Sequence, residues 1–279
     1  MQRKIAIIGA SSFIGQKIIA NNLNYDFVPI VRAPSGLSNE QVVSNYDDIP
    51  ERILEGIETV VNCVGVVRGR NTDEYYRVNE VLVYNIAQSL KPTGIKHFIH
   101  FSSLSIYGNI ELATETSRPN PVSLYGKSKL AGDVALETLE DSEFKIAYIR
   151  PPVVYDEKNG GKIAVLANFM MRFRFFFCPI DLPERAIINV SVLNHYLNQI
   201  IENSFKGPAL IADNKTMSIK LIGDIIKDEF GSPVFIIKLP LTMFLPIKLI
   251  AVDAYNSVFR AQAVEVNVAK GKDYPKNDG

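Results

Sequence analysis

Short apolar runs alternate with longer amphipathic stretches over the first 150 residues of the chain. Ile5-Ala6-Ile7-Ile8 ends at Gly9, and Gly9-Ala10-Ser11-Ser12-Phe13-Ile14-Gly15 then leads into Lys17 to Leu23, which has helical character. An apolar run without polar alternation reads as a parallel strand buried on both faces. Further strands are expected at Phe27 to Val31, Val42 to Tyr46, Glu58 to Val64, Lys96 to Phe101 and Lys145 to Ile149. Between them, Asp73 to Leu90 reads as a long amphipathic helix. Pro121 to Leu139 reads as another, with Leu124, Leu130, Val134, Leu136 and Leu139 as its apolar positions. Strands alternating with helices predict an α/β fold: a doubly wound parallel sheet covered on both faces. This unit is expected over residues 1–155, with a smaller C-terminal α/β subdomain over 156–279 that is free to interleave with it.

Composition narrows the class without naming a chemistry. Hydrophobic residues make up 47% and charged residues 22% of 279, the profile of an ordinary globular protein. The formal net charge is zero, so no global basic field argues for nucleic acid. Cys63 and Cys178 sit in apolar runs with no metal-like spacing, so they read as buried thiols in a reducing compartment, and no metal site is expected. The N-terminus runs straight into a strand, not into a signal-peptide core. Val234 to Val252 is strongly apolar, but Lys238, Pro240, Pro246 and Lys248 interrupt it, whereas a membrane span needs about 20 clean apolar residues. No transmembrane segment is therefore expected. A cytoplasmic location is, with peripheral membrane association left open.

Strand, glycine turn and helix are the context that a dinucleotide-binding fingerprint requires. Gly9 would make the tight turn, Gly15 would let the helix pack closely, and the helix N-terminus would face a pyrophosphate. Ser12 replaces the middle glycine of the usual spacing; a serine there can hydrogen-bond a phosphate. At the end of the second strand stands Arg32, where an acidic residue would select NAD and an arginine accommodates the 2′-phosphate of NADP. NADP(H) is therefore favoured over NAD(H). Asp47 could cap the next helix or bond the adenine, and Cys63, Val64 and Gly65 form a strand end small enough for close approach of the cofactor. Asn79, Phe101 and Ser102 complete this set.

Tyr125 and Lys129, four residues apart, lie on one face of a helix. A free phenol with a pKa near ~10 is a poor acid or base at neutral pH, and a nearby ammonium lowers it. Such a pair can move a proton to or from a sugar or alcohol oxygen. By chance alone the pair is common; its companions raise its meaning. Gly9 to Gly15, Ser102-Ser103 with Tyr107-Gly108, Tyr125 to Gly132, and Arg150-Pro151-Pro152 resemble, in order and spacing, the extended short-chain dehydrogenase/reductase family. That family comprises NAD(P)-dependent epimerases, dehydratases and reductases of nucleotide sugars, built on a Rossmann-type domain. The resemblance implies that Tyr125 is the acid/base, that Lys129 bonds the nicotinamide ribose while lowering the tyrosine, and that Ser103 bonds the reacting oxygen. It also places Pro151 and Val153 near the nicotinamide and Ser105, with Ser103, at the substrate. Tyr107 reads equally as a site residue or as a packing aromatic.

Beyond residue 155 the family varies most. Ile163 to Phe177, with Arg172 and Arg174 among Met and Phe residues, reads as core or as a wall of the substrate subdomain. Arg185, before an expected strand Ala186 to Val190 and helix Val192 to Glu202, is the candidate for binding the nucleotide of the substrate. A helix Ser218 to Phe230 and a strand Val234 to Ile237 follow, and the tail from Gly271 is polar. The resemblance implies a nucleotide-sugar substrate, and a homodimer through the helices Asp73 to Leu90 and Pro121 to Leu139. Arg32 points to an NADPH-dependent 4-ketoreductase. An NAD-dependent 4-epimerase, a reductase of small aldehydes or ketones, and a non-catalytic NADP-binding regulator are the alternatives. Leu104 and Ser105 stand where dehydratases of the family carry an acidic pair, so dehydration is the least supported chemistry.

Overall fold

The computed structural model describes residues 2–156, 175–180, 185–217, 235–245 and 262–268. The expected helix Ser218 to Phe230, Arg172 and Arg174, much of Val234 to Val252 and the tail from Gly271 lie outside the described residues. Among the described residues, seven parallel strands form one sheet. They are β1 (Lys4–Ile8), β2 (Asp26–Val31), β3 (Gln41–Val42), β4 (Thr59–Asn62), β5 (His97–Phe101), β7 (Lys145–Arg150) and β11 (Gly207–Leu210), in spatial order β11-β7-β5-β4-β1-β2-β3. The order reverses beside β1, the switch point at which ligands of open α/β sheets bind.

Period-two alternation sends each strand's side chains to two separate cores. Ala6, Ile8, Ile30, Val60, Phe98 and Ile146 face one helical layer: α2 (Glu51–Leu54), α4 (Val83–Leu90) and α5 (Leu124–Glu137), while α3 (Thr72–Tyr76) precedes α4 with no buried residue. Ile5, Ile7, Val31, Val61, Ile99 and Ile149 face the other, formed by α1 (Phe13–Asn21) and α6 (Val190–Glu202). Both faces are covered, which is why these strands read as uninterrupted apolar runs. The C-terminal segment supplies α6 and the edge strand β11, so it builds into the main sheet. Short parallel pairs lie outside it: β8 (Val153–Tyr155) with β10 (Ile187–Asn189), β6 (Leu112–Ala113) with β13 (Ala263–Val264), and β9 (Phe175–Pro179) with β12 (Phe235–Leu239).

Two expected elements differ in kind. The third strand is two residues long and not Val42 to Tyr46: Ser44 and Asn45 turn to solvent while Tyr46 folds into the core, beneath the Arg32 guanidinium 5.4 Å from its ring centroid. The long helix at 73–90 is interrupted by a π-helical segment, Arg77–Leu82, between α3 and α4. There the backbone oxygen of Asn79 comes so close to α5 that a Cβ on Gly132 would stand 2.1 Å from it. Only a glycine admits this approach. Ser123 caps α5, accepting from the Gly126 N–H at 3.0 Å, so Pro121 lies ahead of the helix and not in it. No helix among the described residues is long and apolar enough to cross a membrane.

Candidate active site

The carboxyl ends of the strands bring most of the expected site residues to one edge of the sheet. After β1, Gly9 adopts φ +74°, and a Cβ there would meet Val64 at 3.0 Å; a Cβ on Gly15 would meet Ala10 at 2.8 Å. The turn and the close helix packing thus demand glycine at both positions. Ser12 is the N-cap of α1, its Oγ accepting from the Gly15 N–H at 3.1 Å. That bond explains its presence where a third glycine is usual: the hydroxyl satisfies one of the helix's unpaired N–H groups and keeps its own proton to donate. Ser11 is exposed, and Phe13 and Ile14 are half-buried. Arg32 is exposed at the end of β2, and Asp47, half-buried, follows β3.

Cys63, Val64 and Gly65 follow β4, with Cys63 half-buried and its thiol pushed up to about 12 by burial. Asn79 is fully buried: its Nδ2 donates to Val66 O and Ser128 Oγ, each at 2.9 Å, and its Oδ1 accepts from Val66 N at 2.8 Å. The side chain therefore shapes the rim after β4 from behind. π-helical insertions recur at functional sites, and this one carries Asn79.

The reactive group stands between β5 and α5. Ser103 caps a 3₁₀ turn, Leu104–Tyr107, its Oγ accepting from Ser105 N at 3.1 Å. The Tyr125 phenol lies near enough to Ser103 for the serine to favour its ionised form. One turn along α5, Lys129 is 3% exposed and its Nζ donates to Phe101 O at 2.8 Å. Burial loosens its proton to about 8, with Asp133 and then Cys63 opposing. The expected lowering of Tyr125 is not seen. Burial is the largest influence and raises its pKa, Ser103 opposes, Asp133 and Tyr75 raise it further, and Lys129 is not among the groups acting on it. The ammonium is turned to a neutral carbonyl and is itself weakened by burial.

Behind this group lies a second polar cluster. Ser102 Oγ donates to Asp133 Oδ2 at 2.9 Å, so its hydroxyl faces away from the cofactor edge. Arg150 donates to the same oxygen through Nε at 3.3 Å and Nη2 at 3.0 Å, and through Nη1 to the Tyr107 hydroxyl at 2.7 Å. Tyr107 is 2% exposed, which makes it a bracing aromatic and not part of the open site. Pro151 is buried and Val153 half-buried after β7, and Ser105, half-buried, follows Leu104, whose N–H donates to Pro151 O at 3.0 Å. Arg185 donates through Nη2 to Gln262 Oε1 at 3.1 Å, and Gln262 Nε2 in turn donates to Gly108 O at 3.5 Å, just past the 3₁₀ turn. Sequence reasoning passed over Asp133 and the bracing role of Arg150. Helical spacing puts Asp133 on the face of Tyr125 and Lys129, but nothing local marks it as buried, and Arg150, at the end of β7, carries no such signal.

The model of the "NAD dependent epimerase/dehydratase family" matches residues 5–174. A curated Escherichia coli O157:H7 protein, N-acetyl-alpha-D-glucosaminyl-diphospho-ditrans,octacis-undecaprenol 4-epimerase, is 27% identical over 224 residues, covering 74% of this chain and 66% of that protein. The chain spans smaller shares of other curated relatives, down to 31%. UDP-N-acetylglucosamine 4-epimerase from Bacillus cereus superposes with a TM-score of 0.74 at 18% identity, over 98% of this chain and 92% of that one. The NADP complex of dTDP-4-dehydrorhamnose reductase from Bacillus anthracis superposes at 0.68 and 18% identity, over 88% and 86%. Such likenesses of structure speak to the fold.

Proposed function

The chain belongs to the NAD dependent epimerase/dehydratase family, and from that premise we propose that it is an NADPH-dependent reductase of a nucleotide-linked 4-keto sugar. The observation that carries the reading is the nearness of Tyr125 to Ser103 with Lys129 one turn along the same helix, at the strand ends that also hold the glycine turn. The fit to a dinucleotide rests on the positive φ of Gly9, the close packing at Gly15 and the N-terminus of α1 beside the switch point. When bound, a reduced nicotinamide supplies the hydride.

Tyr125 then delivers its proton to the carbonyl oxygen of the sugar. A phenol held protonated by burial suits the role of general acid, the direction that reduction needs. Ser103 donates to the same oxygen and polarises it. Lys129 holds the nicotinamide ribose through the protons not engaged by Phe101. Arg32, exposed and stacked on Tyr46, meets the 2′-phosphate that distinguishes NADPH from NADH. Leu104 and Ser105 leave no carboxylate beside Ser103 for dehydration. A second reading, an epimerase that retains NAD, is favoured by the name of the Escherichia coli relative. In either reading, Val81 on the π segment and Val134 on α5, 50% and 52% exposed, give a second copy an apolar strip to cover, and sedimentation equilibrium reads that homodimer.

Calorimetric titration of NADPH, NADP, NADH and NAD into the protein and into Arg32→Ala tests the choice. The reductase predicts tighter binding of the phosphorylated pair, lost by about tenfold in the variant, the size of one exposed charge-assisted contact. Tighter NAD binding, insensitive to Arg32, would give the epimerase reading precedence.

A further inference from the structure

Resting on the reading of Tyr125 and Lys129 as the reactive pair, we propose that Asp133 is a positioning residue, the built-in counter-charge that keeps Lys129 an ammonium at neutral pH. Its place follows from helix geometry. Asp133 lies four residues past Lys129 and eight past Tyr125, on the same face of α5. The carboxyl group is fully buried, and three donors converge on Oδ2: Ser102 Oγ at 2.9 Å, Arg150 Nη2 at 3.0 Å and Arg150 Nε at 3.3 Å. Burial raises the Asp133 pKa, with Arg150, Ser102 and Lys129 opposing; a guanidinium does not give up its proton, so this cradle favours a carboxylate. Oδ1 is buried and has no hydrogen-bond partner within the described residues.

The groups around Lys129 leave this role to Asp133. From the end of β4, Cys63 presents a thiol held neutral by burial. From β5 come the Phe101 carbonyl and His100, whose ring burial keeps neutral by holding its pKa well below the usual value. From the π segment comes Asn79, and from α5 itself Tyr125, held as a phenol. From β7 comes Arg150, a cation that already lies against Asp133. Among the described groups around Lys129, Asp133 is the carboxylate. Without it, an ammonium 3% exposed would face a neutral carbonyl with no opposite charge among the described groups around it. The same carboxylate bonds Ser102, whose neighbour is Ser103, and Arg150, which bonds Tyr107 at the other end of the 3₁₀ turn. The counter-charge is thus built into the brace that fixes the serine segment against α5.

The test is a pH titration by NMR of the whole protein carrying ¹³C at lysine Cε and aspartate Cγ, with Lys129 assigned by the signal lost in Lys129→Met. In wild type the Asp133 signal is that of a carboxylate at pH 7. In Asp133→Asn the Lys129 midpoint falls by about 1 pH unit or more, the size expected for losing a close opposite charge, and Asp133→Glu restores most of it. An unchanged midpoint in Asp133→Asn overturns the proposal, as does a Glu variant that behaves like Asn. So does a wild-type Asp133 signal that remains that of the neutral acid at pH 7, an arm that requires no variant to fold. None of these readouts depends on turnover. Were the reaction misassigned, Tyr125→Phe would turn over normally while the Lys129 midpoint still moved in Asp133→Asn.

Discussion

Two nearly buried cations, Lys129 at 3% and Arg150 at 6% exposure, both feel the Asp133 carboxyl group, and they are treated in opposite ways. Arg150 has a carboxylate, a phenol and two aromatic faces, with Tyr107 and Tyr148 ring centroids 5.5 Å and 6.0 Å from its guanidinium carbon. Among the described residues Lys129 donates to a neutral carbonyl, at 2.8 Å, and feels Asp133 without a hydrogen bond to it. A buried charge is costly unless paired and hydrogen-bonded. Arg150 meets that requirement; Lys129 meets it only in part, and its proton is loosened to about 8. The brace is saturated with partners, while the reactive cluster keeps hydrogen-bonding capacity in reserve. That capacity is what a ligand would use.

The sharpest way to break the comparison is to change one atom on the reactive side. Tyr125→Phe should lower turnover by about 10²–10⁴-fold, the usual contribution of a positioned acid or base, while leaving dinucleotide binding and the melting temperature near wild type. Steady-state kinetics and calorimetry on the same preparation check it. A variant with normal turnover would remove Tyr125 from the acid/base role, whereas a wild type that binds dinucleotide without any turnover would promote the regulator.

The corresponding change on the bracing side should show the reverse. Arg150→Ala leaves Asp133 buried without its cation, and breaking one side of a buried pair costs about 3–5 kcal/mol. Urea denaturation of wild type and variant reads the loss. Tyr107→Phe is milder. It removes the acceptor of a 2.7 Å bond from Arg150 Nη1, and leaving that charged donor unmet should cost about 1.5–3 kcal/mol. Unchanged stability in Tyr107→Phe would mean that the phenol is a passenger, and Tyr107 would return to the list of site candidates.

The difference between the clusters also separates what the sequence displays from what it hides. Runs such as Ile5 to Ile8 and the glycines at 9 and 15 declare themselves because burial on both faces and a positive φ each restrict the residue type. The reactive cluster is legible for a similar reason, since Ser103, Tyr125 and Lys129 sit at strand and helix positions whose spacing is visible. Asp133 and Arg150 are legible only as a pair, and they are 17 residues apart on different elements. Nothing local says that a carboxylate on a helix will be fully buried. The π segment is hidden likewise, because it depends on Asn79 meeting Gly132 across two elements. Val42 to Tyr46 misleads for the opposite reason: β-prone residues were read as strand, but tertiary contact with Arg32 turns Tyr46 inward. The pKa of Tyr125 was inferred from its spacing to Lys129, whereas burial sets its direction.

The mildest perturbation removes no atom at all. Free lysine titrates near ~10.4, and Lys129 in the folded chain near about 8. Below pH 8 both folded and unfolded chains carry this proton, so the cost of burying the ammonium is fully present. Between about 8 and 10 the unfolded chain binds more protons than the folded one, and by linkage this lysine's contribution to stability rises with pH. Activity should move the other way, since the ammonium that holds the ribose is lost: turnover at limiting cofactor should fall roughly tenfold per unit above pH 8. Above about 10 the stability gain should reverse. Free phenols ionise there, while Tyr25, raised to about 12, and Tyr125, also raised, keep their protons in the fold. A stability curve from urea melts and a rate profile over the same buffers should therefore diverge between pH 8 and 10. In Lys129→Met the rise in stability over that interval should disappear. If the two curves instead fall together from pH 8, Lys129 is not the group that titrates, and the contrast between the two buried cations loses its electrostatic basis.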